Sequence, residues 1–220
     1  MICSSVLISE TDVFVTIAGE SGTEEKILSP NRWKRLTRQM GWPEPPTAPF
    51  PITAEFYDRL TRESLLTTAI RYAARIQSLS PKSRRELIRR IREKGYKTDI
   101  AEEAADFLVK KGYLKEHDQA YAMAENAVTR KHYGRQRIAA SLLSHGYESD
   151  TVRAVLEEIP DDLVEEALRV VMKRKYDPFP TEGAERRKAY ASLMRLGFTG
   201  SEIQNAIQNQ KEPGDEEFPT

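Results

Sequence analysis

Six cations fall within eleven residues of this chain: Arg84, Arg85, Arg89, Arg90, Arg92 and Lys94. On a helix, Arg85, Arg89 and Arg92 stand at i, i+4 and i+7 and share one face. Such a stripe can neutralise phosphates or meet an acidic protein surface. The competing explanation is a solvated helix face, which accounts for most charge runs. Smaller clusters follow at Arg135 and Arg137 and at Arg186, Arg187 and Lys188. Residues 67–94 hold nine basic side chains against two acidic ones, while the whole chain balances 34 Lys+Arg against 34 Asp+Glu. Overall neutrality argues against a bulk-basic nucleic-acid binder and leaves local segregation of charge as the signal.

Other chemistries find no support. His117, His132 and His145 match no metal-ligand spacing, and Cys3, the single cysteine, adds nothing to them and can form no intrachain disulfide. Gly19-Glu20-Ser21-Gly22 lacks the Lys and the following helix of a phosphate-binding loop, and no Gly-x-Ser-x-Gly elbow occurs. The pairs Asp161-Asp162 and Glu165-Glu166 sit at a helix start, where they suit the macrodipole. Trp33 and Trp42 read as packing residues. The expectation is a protein that is no enzyme and takes no metal or cofactor. Without an 18-residue apolar run or a basic, apolar leader, it is placed in the cytoplasm with no membrane role.

The elements that must position the cations are helices. Charged residues make up 31% and hydrophobic ones 39% of the 220 residues, which suits an extended array better than one large core. Before the helices, Val13–Ile17 and Lys26–Leu28 read as strands around a Gly-containing loop, with Leu7–Ser9 as a third. Ser29 or Asn31 then opens a short helix carrying Trp33, Leu36 and Met40. Five prolines between 43 and 51 mark an extended, exposed linker. From Ala54 the pattern is helical to about Gln210.

This helical part repeats. Gly95-Tyr96, Gly146-Tyr147 and Gly197-Phe198 are spaced by 51 residues, twice. Eight residues before each Gly stands Leu87, Ile138 or Ala189, and four before stands Ile91, Leu142 or Leu193, on one helix face. Eleven before stands Arg84, Arg135 or Arg186. Each Gly reads as a left-handed helix C-cap. Capping-box spacing recurs at Asp99/Glu102 and Thr199/Glu202, and Ser80-Pro81 reads as the opening of the first middle helix. A further apolar stripe precedes each pair, so every unit has three helices. The expected boundaries are a β-hairpin/helix extension at 1–42, a Pro-rich linker at 43–53, three-helix repeats at 54–114, 115–159 and 160–210, and an acidic disordered tail at 211–220.

These residues resemble the RecX family of regulators. Ser83-Arg84-Arg85-Glu86-Leu87 running to Lys94-Gly95-Tyr96 is similar to that family's middle helix. So are Gly134-Arg135-Gln136-Arg137-Ile138 running to Gly146-Tyr147, and Glu185-Arg186-Arg187-Lys188 running to Gly197-Phe198. The joint Lys111-Gly112-Tyr113-Leu114 also resembles the family's. The resemblance spans roughly residues 63–208. It departs at Val128-Thr129-Arg130-Lys131, less basic than the family's pattern at the end of that helix, at Ala189, small for its slot, and in the acidic tail. It implies an all-α fold of tandem three-helix repeats in an elongated arc, with a small β-containing N-terminal extension. It further implies a monomer that binds RecA recombinase filaments, most simply as an inhibitor, and touches single- or double-stranded DNA weakly and non-specifically. Arg84, Arg85, Arg89, Arg90, Arg92, Lys94, Arg135, Arg137, Arg186, Arg187 and Lys188 would form the contact surface. A stand-alone DNA-binding helical protein and a helical scaffold for another partner are the alternatives.

Overall fold

The computed structural model describes residues 1–20, 22–42 and 48–211. The expected linker prolines Pro43, Pro45 and Pro46 and nearly all of the expected tail lie outside these. Among the described residues, two compact units separate: Met1–Pro81 with Glu86–Leu114, and Lys82–Arg85 with the chain from Lys115 onward.

The first unit opens with an antiparallel sheet. Strands β1 (Ile2–Ile8), β2 (Val13–Gly19) and β3 (Gly22–Leu28) pair in sequence, and β4 (Phe50–Pro51) closes the other edge, giving the order β3-β2-β1-β4. The alternation of β2 is clean: Val13, Val15 and Ile17 are buried with Cys3 and Leu28 under Trp33 and Leu36 of α1 (Pro30–Gln39). Ser29 caps α1 by accepting from the Arg32 N–H. No strand is expected in a proline-rich stretch. Yet β4 pairs with Ile2 and Cys3, at the sheet edge where a missing N–H is tolerated. Trp42, Phe50 and Phe56 close over this core, Trp42 standing 5.0 Å from Phe56 and 5.4 Å from Phe50. Helix α2 (Ala54–Leu79) carries Phe56 and Leu60 into the same core. It then carries Leu66, Ala69 and Ala73 into a second core with α3 (Arg84–Glu93) and α4 (Thr98–Lys110).

The second unit packs α5 (Glu116–Thr129), α6 (Arg135–Ser144), α7 (Ser149–Glu158), α8 (Asp161–Lys175), α9 (Gly183–Arg195) and α10 (Gly200–Lys211) around one core. Tyr176 and Phe179, between α8 and α9, stack edge-on at 5.8 Å, and Phe179 is buried in that core.

The repeat motif folds alike three times. Leu87, Ile91, Ile138, Leu142, Ala189 and Leu193 are all at most 1% exposed. Gly95, Gly146 and Gly197 have φ of +105°, +85° and +93°. The aromatic after each donates its N–H back to the carbonyl of Ile91, Leu142 or Leu193, the bond that closes a helix end. Gly112, in the joint motif, repeats the device at φ +71°.

Two caps differ from the sequence expectation. Ser80 ends α2 rather than opening α3, which begins at Arg84. Asp99 lies inside the first turn of α4, whose N-cap is Lys97 without a side-chain bond. The Thr199/Glu202 box does form: the Thr199 N–H donates to Glu202 Oε2 at 2.6 Å and the Glu202 N–H to Thr199 Oγ1 at 3.2 Å.

The 51-residue spacing also appears in a contact that the sequence did not announce. Gly134 donates its N–H to Leu196 O at 2.8 Å, and Gln136 donates to Gly197 O at 3.2 Å. The start of α6 thus caps the free carbonyls at the end of α9. One repeat earlier, Ser83 Oγ donates to His145 O at 2.7 Å. Ser83 and Gly134 are equivalent repeat positions, as are His145 and Leu196.

Candidate partner-binding surface

The cations of α3 are not equivalent. Glu86, half-buried on the same helix, accepts from Arg89 at 2.6 and 2.7 Å and from Arg90 at 2.9 Å, and Glu93 accepts from Arg89 at 2.5 Å. Those contacts run i to i+3 or i+4, so helix geometry alone builds a small ion lattice. The Arg89 hydrogen bond first, then that of Arg90, pulls the Glu86 carboxyl down to about 2 against opposing burial. Arg92 and Lys94 are exposed beside this lattice, Arg92 without an ion pair among the described residues and Lys94 6.0 Å from the Tyr72 ring centroid. Arg84 and Arg85 belong with the second unit. The Arg84 backbone N–H donates to Glu116 Oε1 at 2.9 Å, and Arg85 is exposed beside Gly146.

A pH signature follows. The folded Glu86 pKa lies below its ordinary 4.5. The stability it supplies is therefore complete above that value and is lost as pH falls through the folded pKa. Glu86→Gln should lower the thermal midpoint at pH 7, and the gap from the parent should shrink between pH 4.5 and about 2. A gap that stays constant across that window would show that the carboxylate does not hold the arginines.

Arg135 has other work than surface binding. It donates to Ile159 O at 2.7 Å, where α7 ends, pairs with Asp161 at 2.7 Å and lies 3.7 Å from Glu202. The Arg137 guanidinium sits 4.0 Å from the centroid of Tyr133 and donates to Arg195 O at 3.3 Å. Arg186 donates to Thr181 O at 2.9 Å, while Arg187 and Lys188 are exposed and make no ion pair among the described residues. The three arginines of one repeat slot, Arg84, Arg135 and Arg186, thus have three different surroundings.

The sequence reading passed over exposed cations at the end of α8, Lys173, Arg174 and Lys175, where three consecutive basic residues favour the helix C-terminus. It also passed over Lys34 and Arg38, spaced i, i+4 on α1, and Lys110 and Lys111 at the end of α4. His117 pairs with Glu158 at 2.9 Å, and His145 Nδ1 lies 2.7 Å from Ser141 O. Among the described residues, no cluster of His, Cys, Asp or Glu has the form of a metal site, and no helix is long and apolar enough to cross a membrane.

No protein-family model matches the chain. Individual relatives do. Regulatory protein RecX of Xanthomonas axonopodis pv. citri (strain 306) is 34% identical over 126 residues, covering 57% of this chain and 77% of that protein. Regulatory protein RecX of Stenotrophomonas maltophilia (strain R551-3) is 33% identical over 129 residues with the same coverage. A crystal structure of regulatory protein RecX superposes with TM-score 0.74 at 10% identity, covering 95% of this chain and all of that one. The crystal structure of RecX from Lactobacillus salivarius superposes with TM-score 0.62 at 17% identity, covering 67% of this chain and 97% of that one. The structures share the fold, a mostly helical chain with a small sheet at its start here, and the sequences share descent over three-quarters of the relatives' length: this chain belongs to the RecX family of regulatory proteins.

Proposed function

We propose that this chain binds RecA filaments on DNA and lowers recombinase activity without catalysing a reaction itself. Its helices act as tandem three-helix repeats, the unit boundaries falling near residues 114 and 159. The observation that carries the reading is a set of exposed cations on the repeats' middle helices that make no ion pair among the described residues: Arg85 and Arg92 on α3, and Arg187 and Lys188 on α9. They stand on helices whose opposite faces are buried, so they are held in place yet open to a partner. A nucleoprotein filament presents phosphates and acidic side chains together, and both attract guanidinium and ammonium groups. DNA alone is bound weakly and without sequence preference, because the chain as a whole is neutral. The protein acts as a cytoplasmic monomer. Sedimentation with RecA assembled on single-stranded DNA tests the proposal: the chain should pellet with the filament and stay in the supernatant when RecA is omitted. A chain that remains soluble beside intact filaments contradicts it.

A further inference from the structure

In the first unit a cleft of about 670 Å³ opens between α1, α2 and α4. Arg32 and Arg35 enter it from α1, Arg71 from α2, and Lys110 and Lys111 from the end of α4. It adjoins a second depression along α1 through the shared Asn31 and Arg35, and that depression adds Lys34 and Arg38. The acidic lining is Glu103 and Asp106. Glu103 is held by Arg62 at 2.7 Å, and Asp106 is also engaged within the protein.

The cations divide into two kinds. Arg32 and Arg35 both grip Glu63 at 2.5 Å, and Arg71 is bonded to Asp12. These three are fixed and partly neutralised. Lys34, Arg38, Lys110 and Lys111 are exposed and make no ion pair among the described residues. Phe107 lies in the cleft lining, with Lys111 Nζ 5.9 Å and the Arg32 guanidinium 6.0 Å from its centroid. The ring's electron-rich face holds both charges by the cleft. The first turn of α1, which also lines the cleft, contains no acidic residue.

We propose that this cleft is a second binding site and that it takes the phosphodiester backbone of a single nucleic-acid strand. The unpaired charges fall into two groups, Lys110/Lys111 and Lys34/Arg38, in adjoining depressions. Such a track matches a ligand with one negative charge per repeating unit. Ile70, Phe107, Asn31 and Gln39 between and beside them offer apolar and amide contacts of the kind unstacked bases accept. A double helix, its bases stacked inside, would leave those apolar and amide contacts without a counterpart. An acidic peptide would meet the charges but leave those flanking contacts without a counterpart.

The test uses the full chain without any recombinase, so its failure leaves the filament proposal standing. Binding of a fluorescein-labelled oligothymidylate is followed by anisotropy across a salt series. Lys110→Glu/Lys111→Glu and Lys34→Glu/Arg38→Glu should each weaken binding by roughly tenfold or more. Lys110→Gln/Lys111→Gln, which spares the end of α4 a new negative charge, should flatten the salt slope by about 1.4, two phosphate contacts' worth for a single strand. Arg187→Glu/Lys188→Glu should have the smaller effect. Blunt duplex of equal charge should bind more weakly, and polyglutamate should compete poorly. Parent-like binding by all three cleft variants overturns the proposal. So does tighter binding of duplex, or displacement of the oligonucleotide by polyglutamate at equal charge, which would assign the cleft to an acidic protein segment.

Discussion

Gly197→Ala should cost the second unit about 3 kcal/mol or more, whereas Gly95→Ala at the same motif position should cost only about 1 kcal/mol. Both glycines have a left-handed backbone, with φ of +93° and +105°. They differ in what a methyl group would meet. A Cβ on Gly95 faces open space, while one on Gly197 would lie 2.3 Å from Arg137 N and 2.6 Å from Arg137 Cβ. Backbone cannot swing aside as a side chain can, so the start of α6 would have to lift off the end of α9. That movement breaks the bonds from Gly134 and Gln136 to the α9 carbonyls. Gly134→Ala should do comparable damage from the other side, since its Cβ would lie 2.3 Å from Gly197 O. Gly146→Ala should fall between, since its Cβ would lie 3.0 Å from Ser83 Oγ and 3.3 Å from Arg85 Cβ, contacts that a shift of a few tenths of an ångström relieves. Urea denaturation followed by circular dichroism measures all four. Equal shifts for Gly95→Ala and Gly197→Ala would show that the close joint between α6 and α9 does not exist in solution.

The second large effect is on binding. Arg92→Glu with Lys94→Glu should reduce sedimentation with RecA filaments by tenfold or more while leaving helicity unchanged. Both side chains are exposed, and neither belongs to the ion lattice of α3. Removing them therefore costs little stability, while reversing them turns short-range attraction into repulsion. Arg89→Glu is a poorer probe, although spacing places Arg89 on the same stripe. It would set a third carboxylate beside Glu86 and Glu93, which Arg89 now holds, and would loosen α3 as well as the contact. Arg187→Glu with Lys188→Glu should weaken sedimentation less, since α9 carries fewer cations than α3. A helical Arg92/Lys94 variant that pellets like the parent would make these residues a solvated face.

Which features could be read from the sequence follows from the range of the forces that make them. The glycine caps and the buried Leu87, Ile91, Ile138 and Leu142 were legible because a helix writes its own period and its own end into neighbouring residues. The Thr199/Glu202 box was legible for the same reason. Asp99/Glu102 has the same spacing, but α4 begins two residues earlier than that cap would set, at Thr98, and takes Asp99 into its first turn. Ser80-Pro81 looked like a helix start because the length of α2 is set by packing, not by its last residues. Strand β4 was hidden because its partner, β1, lies some fifty positions away. The site was legible as a set of charges but not as a set of contacts. Nothing near Arg135 announces that Ile159 and Asp161 will take it up, and nothing near Arg92 announces that it will make no ion pair among the described residues. The cleft of the first unit was least visible. Lys34, Arg38, Lys110 and Lys111 are ordinary surface residues until α1 and α4 are brought together against α2.

RecA-dependent ATP hydrolysis on single-stranded DNA, measured while this chain is titrated in, bears most directly on the proposed function. Hydrolysis should fall progressively and reach a low plateau at substoichiometric or equal amounts of the chain, the Arg92→Glu/Lys94→Glu variant should need far more protein to do the same, and the chain without RecA should release no phosphate. A hydrolysis rate that stays constant to a large excess of folded protein would contradict a regulator of the filament.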